Sequence, residues 1–416
     1  MNNFNNNTGV PNHCNSSQPV YNSNQQKQGF TPNCGYGVPI NQQVNYNNYC
    51  NSATVPPIPN AVNDYDYNQQ RYNNVNYVPN NMGYSSEKMQ KELKIAKERK
   101  SIRTSANRSA AGLLLFSFVS EALALILILF VYFTGAYDEN NSNYINGIEP
   151  VTMYILNSIV CLIGFGVCAP VITKLNHLRL DDVLKIKKVN LSDTVKFTIA
   201  SMGFVYVFNL LLTFMNMNLG LFGFENKSID LGSTNGLFGN IIYFVAIAVV
   251  PPIIEEFAFR GAILGSIREK HGDALAIIIS AVLFGFMHGN FTQTPVTFLT
   301  GLVLGYLTVK TNSIIPAIIL HFVNNGWAVI YDILSKLTSE DTMLWVESGV
   351  ALALIGVGLI CAVSLIKKYK NDLFTFEKPD SEFTMSQKLR YSFTTPCMIL
   401  FTIYTLFTCV LNAVMI

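Results

Sequence analysis

Leu237 to Ile267 reads LFGNIIYFVAIAVVPPIIEEFAFRGAILGSI, an apolar run broken only by the charges of Glu255, Glu256 and Arg260. A helix needs about 20 predominantly apolar residues to cross the roughly 30 Å hydrocarbon core of a bilayer, and this run is longer. Eight further apolar segments lie around it, at Ala110 to Tyr137, Val151 to Thr173, Val195 to Leu219, Ala274 to Gly289, Pro295 to Val309, Ile314 to Leu334, Leu344 to Ile366 and Ser392 to Val414. Together they predict an all-α fold, a polytopic transmembrane helix bundle of about eight or nine helices. Composition agrees, since 50% of the residues are hydrophobic and only 13% are charged, well below a soluble average. The formal net charge of +2 gives no basis for a nucleic-acid partner, and the basic residues gather beside the apolar runs. The lipid bilayer is the partner that composition demands.

Outward from the apolar region the chain changes character. Residues 1–85 are rich in Asn, Tyr, Gln and Pro, with Lys27 the only charge before Asp64, so they predict a disordered tail that buries no core. In 86–109, Met89, Leu93 and Ala96 fall at i, i+4, i+7 among eight Lys and Arg residues, the pattern of a basic amphipathic juxtamembrane helix. Positive-inside bias then places the tail in the cytoplasm, with the acidic connection Asp138 to Glu149 outside and the basic connection Lys174 to Lys188 inside. The expected organisation is completed by N-terminal transmembrane helices at 110–193, a central transmembrane core at 194–334 and C-terminal transmembrane helices at 335–416. No cleavable signal peptide is expected, because the first apolar run follows about a hundred polar residues. The expected location is therefore integral and multi-pass, the cell membrane if the source is bacterial. The eight cysteines form no CxxC pair and read as free thiols.

Ionisable side chains inside a membrane helix cost about 2.5–3.5 kcal/mol on insertion scales and mark functional sites by default. Glu255, Glu256, Arg260, His288 and His321 are such positions. Glu256 and Arg260 are i, i+4 and share a helix face, so they can pair, while Glu255 points about 100° away and is free to meet another helix. Pro251 and Pro252 remove backbone donors just upstream, and the carbonyls they strand must find protein or water partners at membrane depth. Phe284 stands one turn from His288, and Asn325 one turn from His321 beside Asn324. If Arg268 to Gly272 is a tight turn, Glu255 and His288 lie about 22 Å and 24 Å from it on antiparallel helices, hence level. Gly301 and Gly305, at GxxxG spacing, allow close helix packing.

A carboxylate, two imidazoles and a carboxamide suit hydrolysis: Glu255 takes a proton from water, and His288, His321 and Asn325 stabilise an oxyanion. The alternatives are a polar network gluing helices together, a transporter or proton relay, and a catalytically silent peptide-binding or bacteriocin-immunity protein. No cofactor is required, but a divalent metal is possible, with Glu255, His288 and His321 as its ligands; there is no HExxH.

Glu255-Glu256-Phe-Ala-Phe-Arg260, Phe284-Gly-Phe-Met-His288 and His321-Phe-Val-Asn-Asn325 resemble the EExxxR, FxxxH and HxxxN/D motifs of the CPBP family, the CAAX-processing and bacteriocin-immunity membrane peptidases also called Abi proteins. The resemblance covers about Thr194 to Leu334. It implies an intramembrane glutamic endopeptidase of the type II CAAX prenyl endopeptidase kind, in which Glu255 activates water. The implied substrate is a membrane-associated peptide or lipidated protein. The Asn-rich tail and the ninth segment fall outside the resemblance.

Overall fold

The computed structural model describes residues 86–141, 144, 147–179, 181, 185–186, 189–221, 224–226 and 236–415. The expected tail at 1–85 lies outside the described residues. Helices run α1 Ser86–Phe133, α2 Pro150–Leu175, α3 Leu191–Leu221, α4 Gly236–His271, α5 Asp273–Met287, α6 Gln293–Thr311, α7 Ile315–Ser335, α8 Glu340–Tyr369, α9 Met385–Phe393 and α10 Pro396–Leu411. A short antiparallel ladder pairs β1, Phe224–Asn226, with β2, Ala413–Met415. Each of the nine expected apolar segments overlaps a helix, the ninth crossing the break between α9 and α10. Among the described residues, five helices (α1, α2, α4, α7 and α8, the last counted to Leu373) are long and apolar enough to cross a membrane, and α9 with α10 makes a sixth if that bent pair is one span. The chain is an integral membrane protein built from helices.

Two boundaries differ from the sequence reading. The basic stretch and the first apolar run are one unbroken 48-residue helix, α1. At the C-terminal end, Ser392 belongs to α9, and a 74° bend separates it from α10. Thr395, held extended at φ −85° and ψ 150° before Pro396, makes the bend, because a following proline disfavours helical backbone.

α4 is the central element, with α2, α5, α6 and α7 packed against it. Two π-type stretches, Val245–Val249 and Phe257–Ile263, bracket its middle turn. The first abuts the double proline, where the i→i+4 ladder lacks two donors. Ala258, Phe259, Ala262 and Ile263 in the second are wholly buried, so the bundle's core lies on the Gly272 side of Glu256. The turn into α5 forms at Gly272, whose φ of +89° is a conformation that glycine adopts without cost. Gly301 lies so close to Ala281 that a Cβ there would stand 3.0 Å from the Ala281 Cα, and Gly305 would meet Ile277 at 3.3 Å. The GxxxG pair thus seats α6 against α5 as its spacing predicts.

Candidate active site

Glu256 and Arg260 sit one turn apart on α4 with side chains wholly removed from solvent, and Arg260 Nη1 donates to Glu256 Oε1 at 2.9 Å. The same carboxylate oxygen accepts from His321 Nδ1 on α7 at 3.0 Å. Arg260 has further support: Nη2 donates to the Gly301 carbonyl at 3.3 Å, and its guanidinium lies 4.3 Å from the Phe284 ring centroid. A buried cation held by a carboxylate, a carbonyl and an aromatic face offsets much of its desolvation.

Glu255 is buried but outside this knot. Its Oε2 stands 3.9 Å from His321 Nε2, beyond hydrogen-bond distance. A water about 2.8 Å from both atoms fits over such a separation. Because Glu256 accepts from Nδ1, that nitrogen of His321 carries a proton, and Nε2 is the ring atom that faces Glu255. His288 follows the last residue of α5, where its Nδ1 donates to the Phe284 carbonyl at 2.9 Å and leaves Nε2 open. The Phe284 ring lies edge-on to both imidazoles, with centroids 5.1 Å from His288 and 5.8 Å from His321. One aromatic plate therefore spaces the two histidines and covers the arginine.

Asn325 has a definite structural task. Its Nδ2 donates to the Ile247 carbonyl at 3.1 Å, and its Oδ1 accepts from Asn324 Nδ2 at 3.2 Å. Ile247 is four residues before Pro251 and five before Pro252, so neither an α- nor a π-type bond along α4 can reach its oxygen. The stranded carbonyl expected from the double proline is satisfied by the carboxamide one turn past His321. One amide N–H of Asn325 remains for other use.

The three motifs are thus brought together, on α4, α5 and α7. Sequence reading missed Phe259 and the Gly301 carbonyl as parts of the arginine's cradle; GxxxG spacing marked Gly301, whereas nothing distinguished Phe259 from other apolar residues. His271, inside the stretch expected as a tight turn, is the buried last residue of α4, 3.4 Å from Ser101 Oγ. The metal set Glu255, His288 and His321 does not converge, and among the described residues no three His, Cys, Asp or Glu side chains form a metal-sized cluster.

A helical membrane protein with a Glu-Glu-Arg-His-His-Asn cluster, half-buried at His288 and Asn325 and buried elsewhere, is the class that fold and site define. Residues 237–327, which hold every member of that cluster, match the family described as Type II CAAX prenyl endopeptidase Rce1-like. It is 30% identical over 100 residues to the membrane-embedded CAAX protease MroQ of Staphylococcus aureus (strain USA300), across 23% of this chain and 40% of that protein. It is also 30% identical over 89 residues to the putative membrane peptidase YdiL of Bacillus subtilis (strain 168), across 21% of this chain and 36% of the relative. The matches therefore span well under half the length of these curated relatives. No solved structure matches.

Proposed function

We propose that this chain is an intramembrane endopeptidase that hydrolyses a peptide bond of a membrane-associated or lipidated protein or peptide. The observation that carries the reading is the division between adjacent carboxylates: Glu256 is tied to Arg260 and His321, while Glu255 faces the open Nε2 of His321 across 3.9 Å. In this reading Glu255 accepts a proton from the water that attacks the scissile carbonyl. Glu256 fixes the His321 tautomer, and the remaining amide N–H of Asn325 donates to the oxyanion. The proton that Glu255 takes up passes to the leaving amine nitrogen as the C–N bond breaks, and His321 and His288, when protonated at Nε2, donate to the oxyanion. The Rce1-like match over 237–327 supports this class of chemistry. The CAAX-protease name belongs to the relatives, and a prenylated C-terminal peptide is the first substrate to try.

The test reconstitutes the full chain in vesicles with a library of farnesylated and unmodified membrane peptides and reads products by mass spectrometry. Wild type is expected to cleave, and Glu255→Gln and His288→Ala to lose about 10²–10⁴-fold. Equal cleavage by all three overturns the mechanism. A parallel arm with chelator decides the metal question, since an ion required for turnover would be stripped and activity lost.

A further inference from the structure

Away from that cluster, one carboxylate stands where a bilayer tolerates it least. Glu121 is the only charged residue between Arg108 and Asp138. It lies 13 residues past Arg108 and 12 before the end of α1 at Phe133, hence about 20 Å and 18 Å along the helix from those points. That is the middle of the span. Its side chain is too short to reach an interface from there.

Ionisable residues in membrane helices ordinarily face the bundle interior or a cavity. Glu121 faces out. It is exposed, and on the same face Phe118 lies three residues before it, 73% exposed, and Leu125 four residues after it, 59% exposed. The inward side of α1 was available, because Phe116 stacks on Phe165 of α2 with centroids 4.1 Å apart, and a Cβ on Gly164 would collide with Ser120 Oγ. The polar contact recorded for Glu121 is a hydrogen bond from Tyr404 of α10, whose hydroxyl donates to Oε1 at 3.3 Å. Among the described residues it makes no ion pair. Only 6% of the most apolar window of α1 is buried, the smallest share among the five long spans. The outer half of α1 is thus an apolar helix face, largely uncovered, with a carboxylate at its centre.

We propose that this face docks a transmembrane helix of another protein that carries a lysine or arginine at mid-bilayer depth, paired with Glu121. Charge complementarity selects this occupant. A second copy would bring carboxylate against carboxylate, since no basic residue lies on α1 between Arg108 and Phe133. A substrate helix on its way to Glu255 is a poor fit, because α2 packs between α1 and α4. The surface is therefore separate from the proposed peptidase site and does not depend on that reading.

The test places the full chain, fluorescently labelled, in phosphatidylcholine vesicles with an acceptor-labelled leucine–alanine host helix bearing either one central lysine or leucine at the same position. Energy transfer as a function of helix density gives the association constants. Wild type is expected to bind the lysine helix about tenfold or more tightly than the leucine helix. Glu121→Gln, which keeps an acceptor for Tyr404, is expected to abolish that preference with an unchanged melting temperature. Equal binding of both helices by wild type, or an undiminished preference in Glu121→Gln, overturns the proposal. A third outcome, in which Glu121→Gln alters only energy transfer between copies of this chain, assigns the face to self-association and likewise overturns it.

Discussion

At the scale of single residues, Glu255 and Glu256 are neighbours with opposite attachments. Glu256 holds one end of a fully buried ion pair, and removing Arg260 leaves that charge without its cation. Arg260→Leu is therefore expected to destabilise by about 3–5 kcal/mol, read as a loss of folded protein or a large drop in melting temperature in detergent. Glu255 makes no direct bond to His321 at 3.9 Å, so Glu255→Gln is expected to stay within about 1 kcal/mol of wild type while losing cleavage. Measuring both variants for melting and turnover separates a structural carboxylate from a chemical one; a Glu255→Gln that melts like Arg260→Leu would refute the division. The Glu256–Arg260 pair was legible because i, i+4 spacing is local. The bond from His321 to Glu256, 65 residues apart, was not, since no periodicity encodes which of two adjacent carboxylates a distant helix will meet. Asn325 falls between these cases. Pro251 announced a stranded carbonyl, but only the packing of α7 on α4 shows that this carboxamide answers it. Glu121 could have been read from its place in the first apolar run, yet its outward direction needed the position of α2.

Among the elements, the hairpin of α4 and α5 decides whether Glu255 and His288 share a depth. Its turn was visible in sequence as a polar interruption ending at Gly272. Less visible was how crowded that turn is: a Cβ at Gly272 would stand 2.5 Å from Pro379 Cδ and 2.7 Å from the Glu377 carbonyl. Positive φ and collision act together, so Gly272→Ala is already expected to cost about 2–4 kcal/mol, and Gly272→Val at least as much. Thermal melts of Gly272→Ala and Gly272→Val check this. An alanine variant within about 1 kcal/mol of wild type would mean that the strap of 374–384 yields freely and does not pin the turn. Helix interiors were read correctly throughout because apolar length carries the signal. Helix ends were not. Charge alone marked a boundary near 109, but the backbone has no reason to break there. Hydropathy merged α9 with α10 across the Thr395–Pro396 bend, and α9 has its own start in the Thr384–Gln387 capping box.

Over the molecule, the chain beyond 237–327 grips the base of this hairpin. Lys310 Nζ donates to the Asp372 carbonyl at 2.7 Å and to that of Thr375, and Glu98 of α1 accepts from Ser381. Two further carboxylates tie the strap, one buried and one exposed. Asp273 accepts from Arg268 Nε at 2.7 Å and from the Glu377 backbone N–H at 2.8 Å, linking α4, α5 and the strap at a buried point. Asp380 takes the exposed Lys94 ammonium at 2.8 Å, with its own side chain 88% exposed. That hydrogen bond and charge hold the Asp380 carboxyl below its ordinary value of 3.8. A depressed carboxylate contributes stability above its unfolded pKa and loses it as pH falls through the folded value, so the Lys94–Asp380 tie is fully present at neutral pH and fades only below about pH 4. Burial settles which tie matters, because solvent and salt screen the outer pair whereas the inner carboxylate has no water to replace its donors. Asp273→Asn is expected to destabilise by about 2–4 kcal/mol. Asp380→Asn is expected to leave the melting temperature almost unchanged between pH 5 and 8, in low and high salt alike. Melting both variants at two ionic strengths distinguishes the cases. If Asp380→Asn proved the more damaging, the strap would be held to α1 by surface charge, and the hairpin base would owe its position to the basic helix and not to the buried Arg268–Asp273–Glu377 link.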